Sequence, residues 1–313
     1  MLSRIADSMF WMNRYVERSE GLLRMLHTSY VLSLDRGSNL NENWVPLLNV
    51  FTTLSSSGKI ALAQKPNNII QHVLLDSQNP NSLKALLNRA RENARGMQDH
   101  ITKEVWEQVN HLYHLINNPK TEKQLLSSDQ LAAIESLLKN CLLYTGITDS
   151  TMPRGMGWNF MSMGKHVERC IMTISIAAEQ FNSLGPDQAK ARDILYWRSL
   201  LFTLSGYEFH LKNYRSVETD KNVLDQVVFN MLFPHSVMYS LERIKKYQED
   251  IIEQNQPLAK ADLSKRFGRL YSFVEFADLD TLEGEALSSF LWNTQSQLAS
   301  FNQHFSHTFF SYS

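Results

Sequence analysis

The sequence predicts an all-α fold: two tandem copies of one helical unit packed into a multi-helix bundle with pseudo-twofold symmetry. Scarce helix breakers, apolar residues at helical spacing and an internal repeat support this. Glycine and proline number 12 and 8 in 313 residues, about half the usual ~12% share. Few breakers mean few tight turns and long elements. An apolar share of 43% with 20% charged residues belongs to a globular chain rather than a disordered one.

Taken in order, Ile5, Met9, Met12, Val16, Leu23, Leu26 and Tyr30 recur at intervals of three, four or seven. They form one helical stripe, which Asp35-Arg36-Gly37-Ser38 ends. Asn79-Pro80 and Phe233-Pro234 read as helix starts, because a first-turn proline leaves no needed donor unbonded. Met156, Phe160, Met163, Val167, Ile171, Ile174, Ala178 and Phe181 predict an amphipathic helix of about seven turns. Gly185-Pro186-Asp187 separates two helical segments, and Leu287, Leu291, Leu298, Phe301, Phe305 and Phe309 mark the last helix. No stretch alternates as a bounded strand would.

The repeat has three blocks in one order. Met12-Asn13-Arg14-Tyr15-Val16-Glu17-Arg18 aligns with Met163-Gly164-Lys165-His166-Val167-Glu168-Arg169. Trp44 and Leu47-Leu48 align with Trp197 and Leu200-Leu201. Ile70, Val73, Leu75, Pro80, Ser82 and Arg89 align with Leu224, Val227, Phe229, Pro234, Ser236 and Arg243. The reading is one domain over 1–313, built from repeats of approximately 1–150 and 155–313 and joined near Thr145 to Gly155.

With 31 Lys+Arg against 32 Asp+Glu, the chain lacks the cationic excess that nucleic acid demands. Lys260, Lys265, Arg266 and Arg269 are too modest a basic stretch to change that. Cys141 and Cys170 fit neither a disulfide scaffold nor a zinc module. The N-terminus is not a secretory signal, and no stretch reads as a membrane span. The expectation is a reduced, cytoplasmic protein without a cofactor.

Polar chemistry concentrates on the repeated helices. Glu17 and Glu168 fall at the flank of their apolar stripes, beside Arg18 and Arg169. They suit ion pairs at a bundle boundary. A sharper alternative is that the twofold brings them to one cleft, to bind an anionic or amide-bearing ligand or a divalent metal. Arg89, Arg91, Glu92 and Arg95 form a third cluster, which the second copy replaces with Arg243, Lys245, Lys246 and Glu249. Glu107, His111 and His114 share a helix face at metal-like spacing, a pattern that is usually incidental. Gly155-Met156-Gly157 reads as a helix entry rather than a phosphate cradle, since no strand precedes it. No nucleophile elbow, Walker loop or di-iron Glu-x-x-His signature is present.

LSRIADSMFWMNRYVERSE, NPNSLKALLNRARENARGMQDHITKEVWEQVN, TDSTMPRGMGWNFMSMGKHVERC and the Gly268-Arg269-Leu270 segment resemble, nearly end to end, the bacterial alpha-E domain family. That resemblance implies an all-helical protein rich in recurrent Glu and Arg, with no assigned reaction. It also implies partners, since members are commonly encoded near ATP-grasp amidoligase-like and transglutaminase-like proteins. By position, the recurring polar residues would be Arg14, Glu17, Arg18, Glu20, Glu92, Arg95, Glu168, Arg169 and Glu208. The chain departs from the family pattern at Met156, at His235 and at Asn230-Met231.

Two functions follow from the resemblance and the residues together. One is a non-catalytic partner or substrate-presenting component of an ATP-grasp-type system that forms peptide or amide bonds. The alternative is an enzyme whose Glu/Arg cluster acts on a peptide-like or amide substrate, with or without a metal.

Overall fold

The computed structural model describes residues 1–36, 44–64, 66–127, 129–184, 191–255 and 260–310. Among them are fifteen α-helices and no strand. The expected breaks at Gly37-Ser38 and Gly185-Pro186-Asp187 lie outside the described residues. Two compact units emerge: a first of Ser8–Met161, and a second of Met1–Asp7 with Ser162–Ser313.

The first unit is built on α1 (Ser3–Arg36), from Ser8 onward. Its burial is wider than the single apolar stripe of the sequence reading. Phe10, Leu22 and Met25 are buried beside Met9, Met12, Val16 and Leu23, and so are Asn13, Glu17, Ser19 and Glu20. Short helices α2 (Val45–Phe51), α3 (Ser56–Ala63) and α4 (Pro66–Ile70) follow, and α4 runs into a π turn, Gln71–Leu75. Next come α5 (Leu83–Gly96), α6 (Lys103–Ile116), α7 (Pro119–Leu125) and α8 (Gln130–Thr151). α6 packs against both α5 and α8. It can do so because Val105, Val109, Leu112 and Ile116 keep helical spacing and are all buried.

The second unit is built on α9 (Met156–Asn182), from Ser162 onward. After it come α10 (Ile194–Thr203), α11 (Tyr207–Asn213), α12 (Thr219–Leu224) and a second π turn, Asp225–Phe229. Three longer helices complete it: α13 (Val237–Asn255), α14 (Lys260–Glu275) and α15 (Gly284–Phe310). α14 and α15 pack on each other, with Phe267 against Phe301 at 5.1 Å and Phe273 stacked on Phe290 at 5.3 Å.

The third block of the repeat recurs as backbone conformation. After each π turn the chain makes the same bonds: Asp76 N–H to Gln71 O and Asn230 N–H to Asp225 O, both 2.9 Å. Ser82 N–H then bonds Asn79 O, and Ser236 N–H bonds Phe233 O. The prolines therefore lie in the turn and do not open the helices. The N-caps are Ser82, whose hydroxyl accepts from Ala85 N–H, and Ser236, whose hydroxyl accepts from Tyr239 N–H. A serine oxygen can satisfy a first-turn donor, which a proline ring cannot.

Two glycines give the packing an experimental handle. A Cβ on Gly206 would lie 2.5 Å from Gln226 Nε2 and 2.7 Å from the Phe233 ring. One on Gly146, inside α8, would meet nothing within 4 Å. In urea denaturation, Gly206→Ala is expected to lose about 1–3 kcal/mol through overpacking. Gly146→Ala is expected to gain about 0.5–1 kcal/mol from helix propensity.

Candidate functional site

In the first unit, α1 carries four of the site residues expected from the sequence. Arg14 lays its guanidinium over Trp11, 4.4 Å from the ring centre. Arg18 donates from Nε to Asn81 Oδ1 at 3.2 Å and from Nη2 to the Val50 carbonyl at 3.4 Å. Glu20 is held by Arg24 through 2.9 and 2.8 Å bonds from its Nε and Nη2. Glu17 is 6% exposed, so it lies inside the unit and not at the boundary that its stripe position suggested. Burial this deep costs a carboxylate several kcal/mol unless charge or hydrogen bonds compensate it.

Glu92 and Arg95 occupy different surroundings. The Glu92 side chain is 55% exposed on α5, 3.2 Å from Arg95 and 3.4 Å from Arg91. Arg91 crosses to α6, where it bonds Asn110 at 2.8 Å and lies 4.3 Å from the Tyr113 ring centre. The cluster is thus an outward charged face anchored by one stacked arginine. Glu107, on α6, pairs with Lys103 at 3.5 Å, both exposed. Among the described residues, no group of three or more His, Cys, Asp or Glu is placed to hold a metal. Gly155-Met156-Gly157 opens α9, and a Cβ on Gly157 would stand 3.0 Å from Met9 Sδ. Close packing accounts for that glycine.

In the second unit, Glu168 is 2% exposed, and Arg169 donates to the Pro234 carbonyl at 3.4 Å. Thr173 adds a 2.9 Å bond to the His235 carbonyl. α9 thus grips the turn that precedes α13, much as Arg18 grips Asn81 in the first unit. Glu208 is exposed in the first turn of α11, where its charge complements the helix dipole. Asn230, at one of the departures from the family pattern, is fully engaged. Its amide donates to the Tyr214 hydroxyl, its side-chain oxygen accepts from Leu232 N–H and its carbonyl accepts from Ser236 Oγ.

Each unit has a cavity that the sequence reading did not anticipate. One of about 310 Å³ in the first unit is lined by Asn68, Gln71, Glu122 and the His72–Asp76 pair, whose Nδ1–Oδ2 distance is 2.9 Å. A second, of about 500 Å³, lies in the second unit beside buried Leu224 and Leu287, with Arg192, Lys221, Glu218 and Glu283 among its charged walls. Glu17, Glu92 and Glu168 line neither. The lining residues are scattered along the chain, so periodicity offered no signal for them.

The comparisons fit this helical arrangement. A family described as a predicted alpha-helical domain with a conserved ER motif matches residues 1–310. The chain belongs to the Alpha-E family. Glu17-Arg18, Glu168-Arg169 and Glu242-Arg243 are the Glu-Arg pairs of this Alpha-E chain. Relatives include uncharacterised proteins of Mycobacterium bovis and of two strains of Mycobacterium tuberculosis, each 20% identical over 266 residues. These alignments cover 79% of this chain and 30% of each relative, so the Alpha-E chain spans less than a third of the relatives it matches. No solved structure matches it. Among the described residues, no helix is long and apolar enough to cross a membrane.

Titration follows from burial. Cys141 and Cys170 are both buried, and desolvation pushes both thiols far above their ordinary range. Glu20 and Glu17 raise Cys141 further, and Arg24 opposes them. Native protein is therefore expected to leave both thiols unreactive towards an alkylating reagent, with labelling only at the unfolding rate. Native-state modification of either thiol at mildly alkaline pH would contradict this burial.

His166 and His210 are held below the ordinary imidazole value of 6.5, chiefly by burial. Arg169, Lys165 and Arg243 lower His166 further, whereas the Gln226 hydrogen bond raises His210. The unfolded chain therefore binds more protons below pH 6.5. Stability is complete above that value and declines as pH falls through it. Chemical denaturation at pH 7, 6 and 5 should show this decline, and His166→Gln should make it shallower. An unchanged slope in the variant would remove His166 as a source.

Proposed function

We propose that this chain is a non-catalytic partner or substrate-presenting component of an ATP-grasp-type system that forms peptide or amide bonds. The observation that carries the non-catalytic half is where two of the three ER arginines go. Arg18 ends on Asn81 and the Val50 carbonyl, and Arg169 ends on the Pro234 carbonyl. Side chains spent on shaping turns are suited to holding a surface rather than to transferring protons. The matched relatives add support, because the aligned region is 30% of their length, which is consistent with an element that works beside further chain. The amide-forming half rests on the family resemblance.

The test is to tag the protein at its native locus and identify what copurifies at native expression. Enrichment of an ATP-grasp amidoligase-like protein is expected, and recovery of the chain alone would overturn the proposal. Glu17→Gln and Glu168→Gln are expected to lower stability by about 1–3 kcal/mol, a melting shift of several degrees, while partner recovery persists. Loss of the partner with unchanged melting would instead make these carboxylates contact residues.

A further inference from the structure

Around His166 the second unit gathers basic and aromatic side chains. Lys165, His166 and Arg169 fall within one turn of α9, with Lys165 and Arg169 four residues apart on one face. Tyr239, Arg243 and Tyr247 also recur every four residues and so form a stripe on α13. The His166 ring lies 6.1 Å from the Tyr239 ring and 6.0 Å from the Tyr247 ring, the latter nearly parallel at 19°. The imidazole therefore faces this stripe, with Arg243 one helical turn from each tyrosine.

Two members of the group stand without a hydrogen-bond partner among the described residues. His166 is 8% exposed and its Nδ1 has none, a state that is unfavourable for a buried polar atom. The Arg243 guanidinium lies 5.0 Å from the Tyr239 ring centre and forms neither ion pair nor hydrogen bond. Lys165, Arg169 and Arg243 all act electrostatically on His166. Glu242 accepts the Tyr271 hydroxyl, and Glu168 lies about 200° round the helix from His166, on the Lys165 side of α9.

The first unit gives an internal control. There Tyr15 stands in place of His166, Ala85 in place of Tyr239 and Asn93 in place of Tyr247. Arg89, the counterpart of Arg243, donates to the Pro80 carbonyl at 3.2 Å. One copy uses the position to hold a turn. The other surrounds it with rings and cations, and among the described residues its arginine meets the Tyr239 ring without a hydrogen bond or ion pair.

We propose that Arg243 and His166, brought together against Tyr239 in the second unit, form a binding site for an oxyanion, a carboxylate or a phosphate group. The anion accepts Nδ1–H of the neutral imidazole and pairs with Arg243, whose planar fork suits either group. This goes beyond the partner reading and stands whether or not that reading holds.

The test uses the full chain with ¹⁵N-labelled histidine at pH 7 and constant ionic strength, the His166 signal being assigned by its loss in His166→Gln. Three probes are titrated: inorganic phosphate, an N-acetylated dipeptide with a free carboxylate, and the same dipeptide amidated. A saturable shift of the His166 signal with phosphate or with the free acid is expected, and the responding probe identifies the source of the oxyanion. The amide should leave the signal unmoved. Arg243→Gln is expected to weaken the response about tenfold or more, with the other histidine signals unchanged as the sign of an intact fold. No shift beyond a matched sodium chloride control, or an equal response to the amide, would overturn the proposal.

Discussion

In each unit, the helix that carries the repeated Glu-Arg pair reaches the turn that follows the π turn. In the first unit, Arg18 reaches Asn81 and the Val50 carbonyl from α1. In the second, Arg169 and Thr173 reach the Pro234 and His235 carbonyls from α9. Such a turn presents backbone oxygens that need donors wherever water is excluded. Arginine serves because it stays charged in a protein and spreads several donors over a planar fork. Ser82 and Ser236 then cap the next helices.

The near-zero net charge of the chain resolves into local balance. Glu20 with Arg24 is a largely buried pair at 2.8 Å, where loss of one partner leaves an uncompensated charge. Arg95 with Glu92, Arg266 with Asp262 and Lys103 with Glu107 are exposed pairs that contribute little to stability individually. Charge in this molecule therefore matters most where it is buried, on the two helices that carry the repeated Glu-Arg pairs.

Much of this was legible beforehand, for identifiable reasons. Long helices follow from apolar spacing and few breakers, and the repeat was visible because burial restricts residue types at matching positions. The proline reading failed by three residues, since the preference for proline in a first turn is weaker than the bond that a serine cap makes. The flank assignment of Glu17 failed as well. A helical wheel marks the apolar stripe but carries no information on how much of a helix its neighbours enclose, and α1 buries Ser19 and Glu20 along with Glu17. The π turns carry no composition signal at all.

The order of residues alone determines the helices and the spacing of the similar blocks, because each depends on groups within a few positions or on a period along the chain. Which charged side chains become buried, which arginine ends on a carbonyl and which on a ring, and where the two cavities open depend on atoms brought together from distant positions. Arg89 and Arg243 make the point: they align in the repeat, yet one is tied to Pro80 and the other lies over Tyr239. Spacing makes them equivalent, and their packed surroundings make them different.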